Sequence, residues 1–419
     1  SLANVGGAGT VEKSFKAIRR GGVITSIGFI GSQPGQTSPN VSQLALRKNV
    51  IFRGIMVGSR RQFERMCDAI SVSKLRPIIT VFDFADSRKA QAYESMMSQS
   101  TVGKVIVAGT VLWAKKEIKE LESIATVVYP NDSSKTAFLD EVSKDHSDAI
   151  AIYSTNGNKV GGYNKEVIEG LPKSIKFICS NGAGYDSIDV NAATARGISV
   201  SHTPKAVDAA TATTALYLLL SAFRQYAQAE INARSNLWLK DYPLAHDPEG
   251  KTIGIVGMGG IGSALARRVI PLGMKIQYYN RKPVSPKPDF PCEYVDSLDK
   301  LLESSDVVSL HMPLNANTRE SFGTQQFEKM KDGAILVNTA RGGVVDQEAL
   351  IKALESGKLY SAGLDVFPNE PEIDERLRKN TKITILPHVG THTLESRYEM
   401  EMLVLEASSE VLSCGSCTS

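Results

Sequence analysis

Lys251-Thr-Ile-Gly-Ile-Val-Gly-Met-Gly-Gly-Ile-Gly262 is an apolar, β-type run that ends in a glycine-rich turn, and the amphipathic stretch Ser263–Leu272 follows it. Gly257, Gly259 and Gly262 supply the pattern G-x-G-x-x-G in the context it needs, a strand before and a helix after. The first glycine permits the tight turn, the second lets a pyrophosphate approach the backbone, and the third lets helix and strand pack closely. Gly260 and Ile261 belong to the same candidate cradle, at a helix start whose free N–H groups and positive dipole end favour an anion. A turn that merely packs is the bland alternative, and the flanking strand and helix count against it.

The next predicted strand, Met274–Tyr279, ends in Asn280-Arg281-Lys282. A site for NAD usually places an acidic residue about twenty residues beyond the glycines, accepting from a ribose hydroxyl. An amide and two cations stand there instead, and such groups suit a 2′-phosphate through charge-assisted hydrogen bonds. The expected cofactor is therefore NADP, with NAD as the alternative, and Asn280, Arg281 and Lys282 join the glycines as candidate cofactor residues. Outward from this motif, short β-type runs alternate with helical stretches, the signature of α/β folds with parallel sheets. Gly22–Gly28, Asn49–Gly54, Lys104–Ala108, Ala149–Tyr153 and Ile175–Cys179 read as strands, and Arg61–Ser71, Lys115–Ser123 and one long stretch Ala206–Ala233 as helices.

Composition narrows the class. The chain has 419 residues, 42% of them hydrophobic and 22% charged, as in an ordinary globular protein of two or three domains. A net charge of +3 is too small to argue for nucleic acid or a membrane surface as a partner. No apolar run is long enough to span a membrane and no signal-peptide pattern is visible, although the chain begins at Ser1 and leaves a preceding targeting segment open. Cys67, Cys179, Cys292, Cys414 and Cys417 form no disulfide framework, so a cytoplasmic location is expected; the redox spacing of Cys414 and Cys417 lacks a βαβ context and reads as chance. No metal-ligand pattern is expected.

From about Gly109 to Leu412 the sequence resembles the D-isomer-specific 2-hydroxyacid dehydrogenases, most of all their glyoxylate/hydroxypyruvate reductase branch as found in fungi. Six stretches carry the likeness: Asn181–Asp189, Thr203–Thr211, the glycine turn, Val337–Asp346, Gly363–Pro371 and Pro387–Thr393. The resemblance implies His388 as the acid/base, Glu370 as its carboxylate partner and Arg341 as the cation that grips the substrate. A ketone accepts hydride poorly unless its oxygen is protonated as charge develops, and imidazole titrates nearest neutral pH. A carboxylate beside it favours the protonated ring, and a guanidinium can hold a carboxylate through two parallel bonds. Taken singly, Arg341, Glu370 and His388 read as a surface charge, a loop carboxylate and a satisfied loop histidine; together, each follows a predicted β-run, where open α/β sheets bind ligands.

The resemblance further implies that Ala183 and Gly184 offer backbone N–H groups to the substrate carboxylate, and that Thr339 and Asp365 face the cofactor, Asp365 at the nicotinamide carboxamide. Asn156 and Lys159 lie in a loop that could approach the substrate, and His392 reads as a branch variant rather than a second acid. The expected fold is α/β, a Rossmann nucleotide-binding domain plus a flavodoxin-like substrate domain, with an additional partial Rossmann-type α/β segment at the N-terminus. Expected boundaries are 1–103 for that segment, 104–205 for the substrate domain completed by 391–419, and 206–390 for the nucleotide domain. A helix from about Leu394 to Leu412 returns to the substrate domain, and the short tail beyond it is expected to weaken that domain.

Residues 1–103 resemble instead the last part of a medium-chain, alcohol-dehydrogenase-type oxidoreductase, through Val5–Thr10, Gly21–Gly28 and Gly58–Phe63. Its phosphate turn and catalytic domain are missing, so this block reads as a catalytically incomplete fused remnant. The function expected is reduction of a short 2-ketoacid, glyoxylate or hydroxypyruvate, by a homodimer with no nucleic-acid or membrane partner. The alternatives are a nucleotide-sensing binding protein of the corepressor kind sharing this fold, and an inactive fusion. A formate dehydrogenase is disfavoured by Glu370, since those enzymes place an amide there.

Overall fold

In the computed structural model the described residues are 2–5, 14, 16–18, 23–27, 45, 51–55, 103–123, 125–131, 133–155 and 158–414. The expected helix Arg61–Ser71, the glycines Gly6–Gly9, the Gly58–Phe63 stretch, Asn156, Cys67 and Cys417 lie outside them. The chain divides into two compact units, Ser1–Pro77 and Ile78–Ser419. In the first, β1 (Leu2–Val5), β2 (Val23–Ile27) and β3 (Ile51–Ile55) form a parallel sheet in that order.

The second unit holds two further parallel sheets. β4 (Lys104–Ala108), β5 (Thr126–Val128), β6 (Ala151–Ser154), β7 (Phe177–Ser180) and β8 (Ser199–Ser201) stand in the order β5-β4-β6-β7-β8, the flavodoxin-like arrangement. Lys104–Ala108 pairs with β5 and β6 and so belongs to this sheet. β9 (Thr252–Val256), β10 (Lys275–Tyr279), β11 (Glu293–Tyr294), β12 (Val307–Leu310), β13 (Ala334–Asn338), β14 (Leu359–Leu364) and β15 (Ile383–Ile385) form a seven-stranded sheet in the order β11-β10-β9-β12-β13-β14-β15. Strand order reverses between β9 and β12, where a Rossmann sheet opens a crevice beyond its carboxyl ends.

The central strands are buried on both faces, and their sequences show it: Ile-Gly-Ile-Val in β9, Val-Val-Ser-Leu in β12, Ala-Ile-Leu-Val-Asn in β13. Helix Asp208–Arg224 covers one face, burying Ala212, Ala215, Leu218, Leu219, Ala222 and Phe223 at helical spacing. The single long helix expected over Ala206–Ala233 is instead two, Asp208–Arg224 and Tyr226–Arg234. The break is Gln225, at φ 55°, which is buried and donates through Nε2 to the carbonyls of Ala222 and Lys382. A tertiary anchor overrides local helix propensity there.

The last helix, Leu394–Cys414, packs back on the β4–β8 sheet: Val404 and Leu405 share a buried cluster with Val105, Val107, Ala151 and Tyr153. Full burial of such a side chain contributes about 1.5–3 kcal/mol. Glu401, 1% exposed, accepts from the backbone N–H groups of Leu112, Trp113 and Ala114, at 2.9, 2.8 and 2.7 Å, and so ties the helix to the loop after β4. Among the described residues no helix is long and apolar enough to cross a membrane.

Candidate active site

A cleft of about 1100 Å³ lies between the two sheets of the second unit, and Arg341, Glu370 and His388 all line it. Each stands just beyond a strand of the large sheet: Arg341 after β13, Glu370 after β14, His388 after β15. Nδ1 of His388 lies 2.7 Å from Oε2 of Glu370, and Oε1 of Glu370 accepts from the Phe367 N–H at 2.8 Å. Burial raises the Glu370 carboxyl, but the His388 and Phe367 hydrogen bonds and the Arg341 charge outweigh it and hold the group below the usual carboxylate range. The other ring nitrogen of His388, Nε2, has no hydrogen-bond partner among the described residues, and the side chain is 45% exposed, so a ligand in the cleft can reach it.

The backbone of His388 sits at φ 55°, a left-handed conformation uncommon for a residue with a Cβ. Asp365, buried at 1% exposure, holds it there: its carbonyl accepts from the His388 N–H, and its two carboxylate oxygens accept from Val389 N–H and Gly390 N–H, each at 2.8 Å. Burial pushes the Asp365 carboxyl up, against the pull of those two amides. Asp365 lines the cleft, and both of its oxygens serve the His388 loop.

The residues expected to form the substrate loop come from the other sheet. Ala183 and Gly184 follow β7 and line the same cleft. Gly184 has no room for a side chain: a Cβ would fall 1.8 Å from Nη2 of Arg341. The Ala183 carbonyl lies 2.8 Å from Nδ1 of His202, whose ring meets Tyr185 edge-on. Lys159 is exposed and outside the cleft lining, whereas Asn158 lines it; His392 is exposed and also outside the lining.

The expected cofactor residues sit at the reversal of strand order. Gly257 has φ +105°, and a Cβ on it would meet the His311 carbonyl at 2.8 Å. A Cβ on Gly262 would meet the Gly257 carbonyl at 2.3 Å, the close approach expected of the third glycine, and one on Gly260 would strike Asp208. Gly259 faces open space, with nothing within 4 Å of a Cβ. Ile261 and Thr339 line the cleft, and Oγ1 of Thr339 is buried there without a partner. A dinucleotide fits this arrangement: an open face at the second glycine and an orphaned hydroxyl farther along. Asn280 Oδ1 accepts from the Met258 N–H at 2.8 Å, so this amide shapes the glycine turn from below rather than standing free beside it. Arg281 and Lys282 are exposed at the end of β10.

Three residues escaped the sequence reading. Asp186 accepts from Nε of Arg341 at 2.8 Å. His311 lines the cleft with Nε2 2.9 Å from Ser309 Oγ and Nδ1 buried without a partner; burial pushes it down to about 4. Arg397 lines the cleft with its guanidinium over the Trp113 ring, and burial lowers it.

The chain is similar to 4-methyl-2-oxopentanoate reductase A of Aspergillus oryzae, 46% identical over 304 residues that cover 72% of this chain and 92% of that protein. It belongs to the D-isomer-specific 2-hydroxyacid dehydrogenases. The family profile described as "D-isomer specific 2-hydroxyacid dehydrogenase, NAD binding domain" matches residues 216–390. The solved structure of a glyoxylate reductase from Paecilomyes thermophila superposes with a TM-score of 0.72 at 44% identity, covering 75% of this chain and 95% of that one. An NADPH-dependent glyoxylate/hydroxypyruvate reductase from Sinorhizobium meliloti, solved with NADP and malonate, gives a TM-score of 0.66 at 29% identity over 74% of this chain and 94% of that one. As a 2-hydroxyacid dehydrogenase, the chain is an oxidoreductase acting on CH–OH groups with a nicotinamide cofactor and a small-molecule substrate. Residues 1–107 match a separate profile, "Zinc-binding dehydrogenase", in keeping with the resemblance of the N-terminal block.

Proposed function

We propose that this enzyme reduces a 2-ketoacid of the glyoxylate or hydroxypyruvate type to the 2-hydroxyacid, with NADPH preferred and His388 as the proton donor. The observation that carries it is the 2.7 Å pair of His388 Nδ1 and Glu370 Oε2, set in one cleft with Arg341 and the Ala183–Gly184 turn. A reduced nicotinamide, when bound, supplies the hydride to the ketone carbon. Glu370 stabilises the protonated imidazole and fixes its tautomer, leaving Nε2–H to protonate the carbonyl oxygen as charge builds on it. Arg341 and the backbone N–H groups of Ala183 and Gly184 hold the substrate carboxylate, which orients the carbonyl carbon for hydride delivery.

Gly257, Gly259, Gly260, Ile261 and Gly262 would hold the pyrophosphate, and Thr339 Oγ1 and Asp365 would meet the nicotinamide half. Exposed Arg281 and Lys282 at the end of β10 support NADP over NAD, as does the NADP bound to the Sinorhizobium meliloti relative. We assign 104–205 with 391–419 to substrate binding, 206–390 to the cofactor and 1–103 to no catalytic part. A cytoplasmic homodimer completes the proposal; Trp238, Leu239 and Leu244, 81%, 67% and 98% exposed, offer an apolar strip beside helix Tyr226–Arg234 for a second copy.

The test is NADPH against NADH oxidation by the full chain with glyoxylate and hydroxypyruvate, alongside His388→Ala. Turnover that prefers NADPH and collapses in the variant supports the assignment. Tight NADPH binding without turnover overturns it in favour of a nucleotide sensor, and aggregation in favour of an inactive fusion.

A further inference from the structure

Arg341 follows β13 and Asp186 follows β7, so their ion pair joins the two sheets across the cleft. Of the five N–H donors of the guanidinium, Nε–H goes to Asp186 Oδ1 at 2.8 Å and one Nη1–H to the Ala340 carbonyl at 2.8 Å. Nη2 lies directly over Gly184. The donors left for a ligand are therefore on the Nη1/Nη2 end, beside the backbone of the Ala183–Gly184 turn. A guanidinium on a long, flexible stem holds no such orientation by itself, and a carboxylate ligand otherwise has two edges of it to choose from.

We propose that Asp186 is a positioning residue for the 2-ketoacid site. It occupies the Nε edge of Arg341, so that only the Nη end is offered to the substrate carboxylate. By the same bond it makes the Gly182–Asp186 turn and Arg341 one carboxylate-gripping unit built from both sheets. Gly184 belongs to the device, because any side chain there would displace Nη2. Both partners of the pair are 29% exposed, so a small ligand entering the cleft meets an arginine already oriented. This role presupposes that Arg341 grips a ketoacid carboxylate, as proposed above.

Asp186→Ala, Asp186→Asn and Arg341→Ala, with the double variant D186A/R341A, test it in the full chain with NADPH bound. The readouts are glyoxylate KM and kcat, NADPH affinity, and binding of oxamate, a non-reacting isostere of a 2-ketoacid. D186A is expected to raise glyoxylate KM and weaken oxamate about ten-fold, the loss typical of one charge-assisted hydrogen bond, with NADPH affinity unchanged. D186N, whose amide oxygen still accepts from Nε, is expected to recover most of that loss. In the R341A background, D186A is expected to change oxamate affinity by no more than about two-fold, because Asp186 acts through the arginine. Wild-type turnover with an unaffected D186A, or an equal loss in both backgrounds, overturns the Asp186 role and leaves the ketoacid assignment standing. Wild type that binds NADPH but neither reduces glyoxylate nor binds oxamate overturns both. Should D186A fail to fold, Asp186→Ser removes the same carboxylate and D186N still reports rescue.

Discussion

One carboxylate oxygen of Glu370 lies 2.7 Å from Nδ1 of His388 while the other is fixed by the Phe367 N–H at 2.8 Å. The pair is thus rigid at its carboxylate end, and the imidazole takes its orientation from a group that cannot swing away. Glu370→Gln keeps the shape but loses the charge that stabilises a protonated ring. Its kcat/KM for ketoacid reduction is expected to fall about 100-fold, with NADPH affinity preserved. Steady-state kinetics with a parallel cofactor titration check it.

Gly184→Ala places a methyl group where Nη2 of Arg341 now lies. The guanidinium must move, so ketoacid KM is expected to rise about ten-fold or more while the melting temperature stays near that of the wild type. Kinetics and a thermal melt of the same preparation separate the two effects.

Arg281→Ala removes a cation from the end of β10 without touching the glycine turn, which is shaped by Asn280. Loss of one charge-assisted contact to a 2′-phosphate predicts about a ten-fold fall in kcat/KM for NADPH and little change for NADH. An equal loss with both cofactors would remove Arg281 from the phosphate site.

His311 supplies a pH dependence. Its pKa is lowered from 6.5 to about 4 by burial, so below pH 6.5 the unfolded chain takes up a proton that the folded chain refuses. The stability tied to neutral His311 is full above pH 6.5 and is lost as pH falls toward 4. The loss amounts to about 1–3 kcal/mol. His311→Gln, which keeps an acceptor or donor for Ser309, is expected to flatten that decline when unfolding midpoints are measured between pH 7 and pH 4.5.

Glu401→Gln leaves one acceptor oxygen for three backbone donors that now share two, and turns an NH₂ group toward at least one of them. Unfolding free energy is expected to drop by about 2–4 kcal/mol, the cost of leaving buried N–H groups poorly paired. Denaturant titration of the full chain measures it.

The glycine turn was legible because its residues are close together in sequence, and Arg341, Glu370 and His388 because each lies in a motif stretch that resembles the family. Gly257, Gly259 and Gly262 serve one turn, and Glu370 and His388 lie in the loops that follow β14 and β15. What the sequence hid depends on partners far along the chain. The helix break at Gln225 rests on the Lys382 carbonyl, more than a hundred residues away. Asp186 lay inside a recognised stretch, yet its role needs Arg341 from the other sheet. Asn280 was read for its polarity, and only the fold shows that the amide braces Met258. Glu401 did leave a trace: a charge beside Met400 and close to Val404 on an otherwise buried helix face.

The return of helix Leu394–Cys414 to the β4–β8 sheet also sets a timetable for synthesis. The strands carrying Val105, Val107, Ala151, Tyr153 and Cys179 leave the ribosome more than two hundred residues before Val404 and Leu405, which seal that face. At about 5–20 residues per second, the apolar face stays open for ten seconds or more while the seven-stranded sheet, contiguous in sequence, is translated and closes on itself. The nascent β4–β8 sheet is therefore a face that a chaperone would have to shield until the sheet that follows it is complete.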